Sequence, residues 1–158
     1  MLDVISNIFN DYGVHIIQWI ILIAGWKVVS NDNNSREQRK EIRSLLNTTT
    51  DLILEIQRDA FNYFTSQPNT TDSSILELSI AEKLDRLEKS IDIIAKQKKT
   101  FEDKSQFIKF KQKITLSSNF GSINRTPIGT RDRYLLEVSI EAKNLALQLD
   151  TKFIESYN

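Results

Sequence analysis

The stretch from Gly13 to Val29, GVHIIQWIILIAGWKVV, is almost wholly apolar, whereas the chain after it is strongly polar. A bilayer core needs about 20 mostly apolar helical residues, with a lower limit of about 17. This stretch just meets that limit, and it carries tryptophan at Trp19 and Trp26. The sequence therefore predicts one transmembrane helix at 13–29, within an N-terminal anchor of residues 1–30.

Two other structures would suit an apolar segment of this length. A signal peptide has a positively charged start and a small-residue cleavage site, but Asp3 and Asp11 make this start acidic and no such site follows. A buried core helix stays open, because His15, Gln18 and Lys27 make the stretch less apolar than an ideal span.

The charges on either side orient the predicted span. Acidic residues precede it, and a basic run follows at Lys27, Arg36, Arg39, Lys40 and Arg43. Because basic residues collect on the cytoplasmic side of a membrane, we expect residues 31–158 to form a cytoplasmic domain and the N-terminus to lie outside.

Three residues of the span share one helical face: His15, Gln18 and Gly25. Polar side chains within a span usually face protein, and glycine allows close helix approach. This face is predicted to form an interface between spans or to line a pore in a homo-oligomer. The alternative is that His15 and Gln18 contact lipid headgroups at the outer interface.

Composition excludes several kinds of site in the polar domain. The chain has no cysteine, and its one histidine is His15. Zinc–thiolate sites, thiol nucleophiles and histidine-dependent hydrolytic sites are therefore not expected. No phosphate-binding glycine fingerprint occurs. We predict no catalytic residues, no metal site and no cofactor.

The net charge of zero conceals a strongly basic segment. Residues 96–133 carry ten basic residues against Glu102, Asp103 and Asp132. Such a segment favours an anionic partner, although a lysine-rich face exposed to solvent is the common alternative.

Apolar periodicity predicts an all-α fold, with the membrane helix followed by an antiparallel bundle of about four helices. Apolar stripes at helical spacing predict helices at 35–64 and 131–157, and a third helix that is capped by Asp72 or Ser73 and runs to about residue 99. Residues 102–116 suit a shorter helix, but lysines alternating at 109, 111 and 113 leave a strand open. The 4-3-4-3 spacing of Ile80, Leu84, Leu87, Ile91 and Ile94 favours a bundle core.

The segment SSNFGSINRTPIGT, residues 117–130, is the one long loop rich in small residues. Arginine suits phosphate oxygens, an aromatic ring can stack on a base, and a cap at Thr130 would leave a helix N-terminus free for an anion. The loop and its basic flanks therefore predict a nucleotide site. Its expected residues are Ser118, Asn119, Phe120, Asn124, Arg125, Thr126, Thr130, Arg131, Arg133, Lys111 and Lys113. An ordinary loop with solvated arginines is the alternative.

The motifs WIILIAGW, SREQRKEIR and ITLSSNF, in this order along the chain, resemble those of small bacterial membrane proteins of antiphage defence. In particular, the chain resembles membrane-bound effectors of type III CRISPR systems that sense cyclic tetra-adenylate. The resemblance implies an inner-membrane protein, a tetramer in which the helical domain binds a cyclic oligoadenylate, and a membrane part that depolarises or permeabilises the bilayer. It does not identify ligand contacts.

The function predicted from sequence is thus a ligand-gated, non-enzymatic membrane effector. Its partners would be a cyclic oligonucleotide, the bilayer and further copies of itself, with no long nucleic acid. Two alternatives remain: a bitopic scaffold that recruits a partner through its bundle, and a binder of anionic lipid through the basic run.

Overall fold

The computed structural model describes residues 2–157, and for residues 2–18, 28, 31 and 32 it describes the backbone alone. The elements are α1 (Leu2–Thr65), α2 (Thr71–Gln97), a 3-10 turn (Lys99–Phe101), α3 (Ser105–Thr115) and α4 (Arg133–Glu155). No strand occurs among residues 2–157. The all-α prediction is confirmed, and the strand considered for residues 107–116 is wrong because α3 occupies residues 107–115.

The chain divides into two compact units, Met1–Glu41 and Ile42–Asn158. Helix α1 contributes to both, and the helix predicted to begin at residue 35 instead begins at Leu2.

The second unit is a helical bundle whose core follows the predicted stripes. The five residues of α2 with 4-3-4-3 spacing, Ile80 to Ile94, are buried, as are Phe107, Phe110 and Ile114 of α3. Helix α4 buries Leu135, Val138, Ala142, Leu145, Leu149 and Phe153. Each of these helices buries one apolar face against the others, and this burial offsets the conformational entropy that the helix loses on folding.

Cross-helix contacts show that α4 runs antiparallel to the second half of α1. Arg43 lies 2.8 Å from Asp150 near the end of α4, whereas the Phe64 and Tyr134 rings are 4.9 Å apart near its start. Between them, Gln57 donates a hydrogen bond to Ser139 at 3.0 Å. The loop before α4 therefore lies at the end of the bundle where α1 finishes.

The mid-helix threonines 48–50 are accommodated without breaking α1. Thr49 is buried, and its hydroxyl donates to the Leu45 carbonyl at 2.7 Å. This bond satisfies the one polar group that threonine brings into the core.

Candidate ligand site between α3 and α4

The predicted ligand loop, residues 117–130, is packed onto the bundle. The Phe120 ring lies 5.4 Å from the Tyr63 ring and 6.5 Å from the Phe64 ring. The Ile128 amide donates to the Phe64 carbonyl at 3.0 Å. Phe120 thus extends the aromatic core, so its ring is already used in stacking within the protein.

Arg125 is the residue whose position departs most from expectation. Its side chain is buried, with 3% of the residue exposed. The guanidinium donates to the Ser66 carbonyl at 2.7 Å, to the Ser66 hydroxyl at 3.1 Å and to the Ser73 hydroxyl at 2.7 Å. It also stacks 4.2 Å from the centre of the Tyr63 ring. Arg125 is therefore unavailable to an external anion, which corrects its predicted place in the ligand set.

A second polar contact holds the same loop. Gly121 has φ +71°, which glycine adopts without strain, and its amide donates to the Tyr63 hydroxyl at 3.0 Å. The hydroxyl also lies 3.3 Å from Glu77 and 3.4 Å from the Asn119 carbonyl. Burial raises the pKa of Tyr63 above its ordinary value, and the Glu77 charge acts in the same direction.

Three of the predicted cations are engaged in ion pairs. Lys113 and Arg133 both pair with Glu137, the arginine at 3.0 Å. Lys111 pairs with Glu88 at 3.1 Å. The Lys113 ammonium, followed by Arg133, holds the pKa of Glu137 below its usual value. Much of the basic charge read from the sequence is thus offset by acids from other parts of the chain.

Two of the predicted ligand residues, Thr130 and Arg131, line a surface depression. Both are exposed, and the depression has a volume of about 300 Å³. Arg131 has no ion-pair partner among the residues that the structure describes. The other lining residues are Phe61, Asp132, Leu135, Leu136 and Ser139. The structure places Ser118, Asn124 and Thr126 at exposed positions that do not line this depression.

Thr130 does not cap the last helix. The capping residue is Asp132, whose carboxylate accepts the Tyr134 amide at 2.8 Å, and α4 begins at Arg133. Aspartate and threonine are both good caps. Residues 129–132 form a turn, closed by a hydrogen bond from the Asp132 amide to the Gly129 carbonyl at 2.9 Å, so Asp132 is the residue that directly precedes the helix.

Sequence reasoning missed Phe61. It lies outside the apolar stripe of α1 and is 37% exposed, yet it borders two neighbouring depressions. The second, of about 490 Å³, is lined by Leu54, Gln57, Arg58 and Phe61. An aromatic residue on the polar side of an amphipathic helix was the signal that could have identified this surface.

Residues His15 and Gln18 lie outside the residues whose side chains the structure describes. Gly25 is exposed, and a Cβ atom built on it would meet nothing within 4 Å. Apolar side chains around it are also largely exposed: Trp19, Ile20, Ile21, Leu22, Ile23, Trp26 and Val29.

From residue 19 onward the structure describes the side chains of the helices, apart from residues 28, 31 and 32. Among these described residues, no helical segment is both long enough and apolar enough to cross a membrane.

The described part of the chain holds no group of three acidic, histidine or cysteine residues able to bind a metal ion. No protein family, curated protein or solved structure compared with this chain matches it.

Proposed function

We propose that this protein is a membrane-anchored effector whose helical domain binds an anionic nucleotide. The observation that carries the proposal is the depression at the start of α4, where Arg131 has no ion-pair partner among the described residues and shares the lining with the partly exposed ring of Phe61. The site is smaller than the sequence predicted, because Arg125 is buried, Lys111 pairs with Glu88 and Lys113 pairs with Glu137. Arg133 also pairs with Glu137, but its side chain stays 89% exposed.

The groups around this depression suit a nucleotide. A free guanidinium binds phosphate oxygens through paired N–H donors. The Thr130 hydroxyl adds a donor, and the Phe61 ring offers a surface on which a base can stack. The depression has a volume of about 300 Å³ and is open to solvent.

The proposed anchor is the apolar stretch 13–29. Its described side chains from Trp19 to Ile23 are each at least 60% exposed. A helix that is apolar on all sides requires a lipid or protein environment, and the basic residues that follow favour a cytoplasmic second unit. Ligand binding would act on the membrane only by favouring one subunit arrangement over another.

The test is calorimetric titration of the full chain in detergent micelles with cyclic tetra-adenylate, the ligand that the resemblance implies. Arg131→Ala should weaken binding roughly tenfold or more, because a hydrogen bond to a charged group contributes about 1.5–3 kcal/mol. Phe61→Ala should also weaken it.

The matched control is Arg86→Ala, which removes an exposed arginine from α2. Arg58 serves less well, because it borders the neighbouring depression. Equal affinity of the unchanged chain, Arg131→Ala and Arg86→Ala would remove the depression from the ligand site, and an absence of binding would reject cyclic tetra-adenylate.

A scaffold that recruits another protein is the second candidate. It is favoured by the apolar depression at Leu54 and Phe61, of about 490 Å³. Under this hypothesis, Leu54→Glu should abolish co-purification of a specific protein, whereas Ile108→Glu on α3 should preserve it. Co-purification that is equal for both variants would count against this surface.

A further inference from the structure

Helix α4 carries a second apolar stripe besides the one in the core. Leu136, Ile140, Leu147 and Ile154 are separated by four, seven and seven residues, which places them along one line of the helix. They are 61%, 46%, 53% and 58% exposed, respectively. At 1.5 Å per residue, the stripe is about 27 Å long.

The other sides of α4 already contact the bundle. Glu137 and Glu141 reach Lys113 and Gln106 of α3. Toward α1, Ser139 contacts Gln57. The core stripe faces inward, so the exposed stripe lies on the side of α4 that these contacts leave uncovered.

We propose that this stripe packs antiparallel against the same stripe of a second copy of the chain. The inference rests on the proposed function, because it supplies the subunit contact through which a ligand could act. Counted with Lys143, the positions from Leu136 to Leu147 have the four-three-four spacing by which two helices interlock, and Lys143 is the polar position among them. A two-fold axis would use one surface twice.

Charge favours a second copy in this orientation. Arg131 lies just before the stripe and Glu155 just after it, and both are exposed and without an ion-pair partner among the described residues. An antiparallel pair places Arg131 of each copy near Glu155 of the other. A parallel pair would instead set Arg131 against Arg131 and Glu155 against Glu155, and opposed like charges disfavour association.

The contact between the two stripes, which we call the seam, is coupled to the candidate ligand site. Leu136 belongs to the stripe and also lines the depression that contains Arg131. An anionic ligand at Arg131 would compete with Glu155 of the second copy, so ligand binding would loosen one end of the seam. Differential affinity of this kind is what a ligand needs to shift a conformational equilibrium.

Cysteine cross-linking tests the orientation directly, because the chain has no cysteine of its own. The full chain in detergent micelles is treated with a short bis-maleimide. Lys143→Cys, near the two-fold axis, should cross-link to itself, and so should the double variant Leu136→Cys/Ile154→Cys. Leu136→Cys alone should not, because its two copies would lie at opposite ends. Self-cross-linking of Leu136→Cys, or none by Lys143→Cys, would overturn the proposal.

A charge placed in the seam provides a second test. In the Lys143→Cys background, Ile140→Glu should reduce cross-linking at least tenfold, whereas Ile108→Glu should not. These isoleucines are 46% and 47% exposed, so the two changes are matched in burial. Circular dichroism checks that both variants keep their helicity. Unchanged cross-linking by Ile140→Glu would contradict the seam.

Calorimetry on the same variants separates this proposal from the nucleotide site. Intact cross-linking without nucleotide binding would support the seam and reject the proposed function, whereas nucleotide binding without cross-linking would reject the seam alone.

Discussion

Arg125 is predicted to stabilise the fold through its three hydrogen bonds and its stacking on Tyr63. Arg125→Ala should lower the free energy of unfolding by about 2–4 kcal/mol, since it removes charge-assisted hydrogen bonds to Ser66 and Ser73 and takes this partner from the buried Ser73 hydroxyl. Urea denaturation measures the change. The sequence alone had suggested that this substitution would spare the helices and act on ligand binding.

The control for Arg125 is Arg131→Ala, which should change the free energy of unfolding by no more than about 0.5 kcal/mol, as exposed substitutions usually do. Arg125→Lys keeps the charge but loses the planar fork, so it should recover only part of the stability. A stability loss for Arg125→Ala no larger than that of Arg131→Ala would contradict the buried contacts.

Tyr63 gives the fold a predictable dependence on alkaline pH. Burial raises its pKa above the ordinary 10.0, and burial also raises the pKa of Tyr134. Because the folded-state pKa is the higher one, the stabilisation is fully present below the ordinary pKa and is lost as pH rises through the folded-state pKa.

Titration of tyrosinate absorbance should therefore show Tyr63 and Tyr134 ionising above the ordinary tyrosine pKa. Tyr63→Phe should remove one late component and make the alkaline fall in stability shallower. If Tyr63→Phe instead removes a component that ionises at the ordinary tyrosine pKa, the burial of this hydroxyl is contradicted.

At the scale of the element, the start of α4 depends on one cap. Asp132→Ala should cost about 0.5–2 kcal/mol in the free energy of unfolding, the usual range for loss of a capping side chain. Thr130→Ala, the cap that spacing suggested, should leave stability nearly unchanged. Urea denaturation of the two variants compares them directly, and a larger loss for Thr130→Ala would place the helix start earlier.

At the scale of the whole molecule, the expected anchor determines where the protein is found. The full chain should fractionate with the inner membrane and require detergent for extraction, and its C-terminus should resist external protease in intact cells, as the basic run predicts. Full-length protein recovered in the soluble fraction without detergent would exclude the anchor.

The interface between spans belongs to the same scale. Replacing His15 and Gln18 together with leucine should preserve membrane insertion and nucleotide binding but abolish ligand-triggered dye leakage from vesicles, because these side chains are expected to line subunit contacts or a pore. Undiminished leakage would assign them to the outer interface instead.

The sequence by itself determined the helical fold and most of the core. Apolar spacing identified the buried faces of α2 and α4 residue by residue, because the period of a helix fixes which side chains share a face. The sequence's assignment of Thr130 and Arg131 to a ligand site stays a prediction, although both line a surface depression.

Only the tertiary structure decided which cations are free. Glu88 lies 23 residues from Lys111, and Ser66 lies 59 residues from Arg125, yet each pair is in contact. Local patterns carry no record of such distant partners, so the basic segment was read as a binding surface. Long-range packing likewise brought Phe61 beside Arg131 and left the second stripe of α4 exposed, since the positions of neighbouring helices determine which face of a helix is covered.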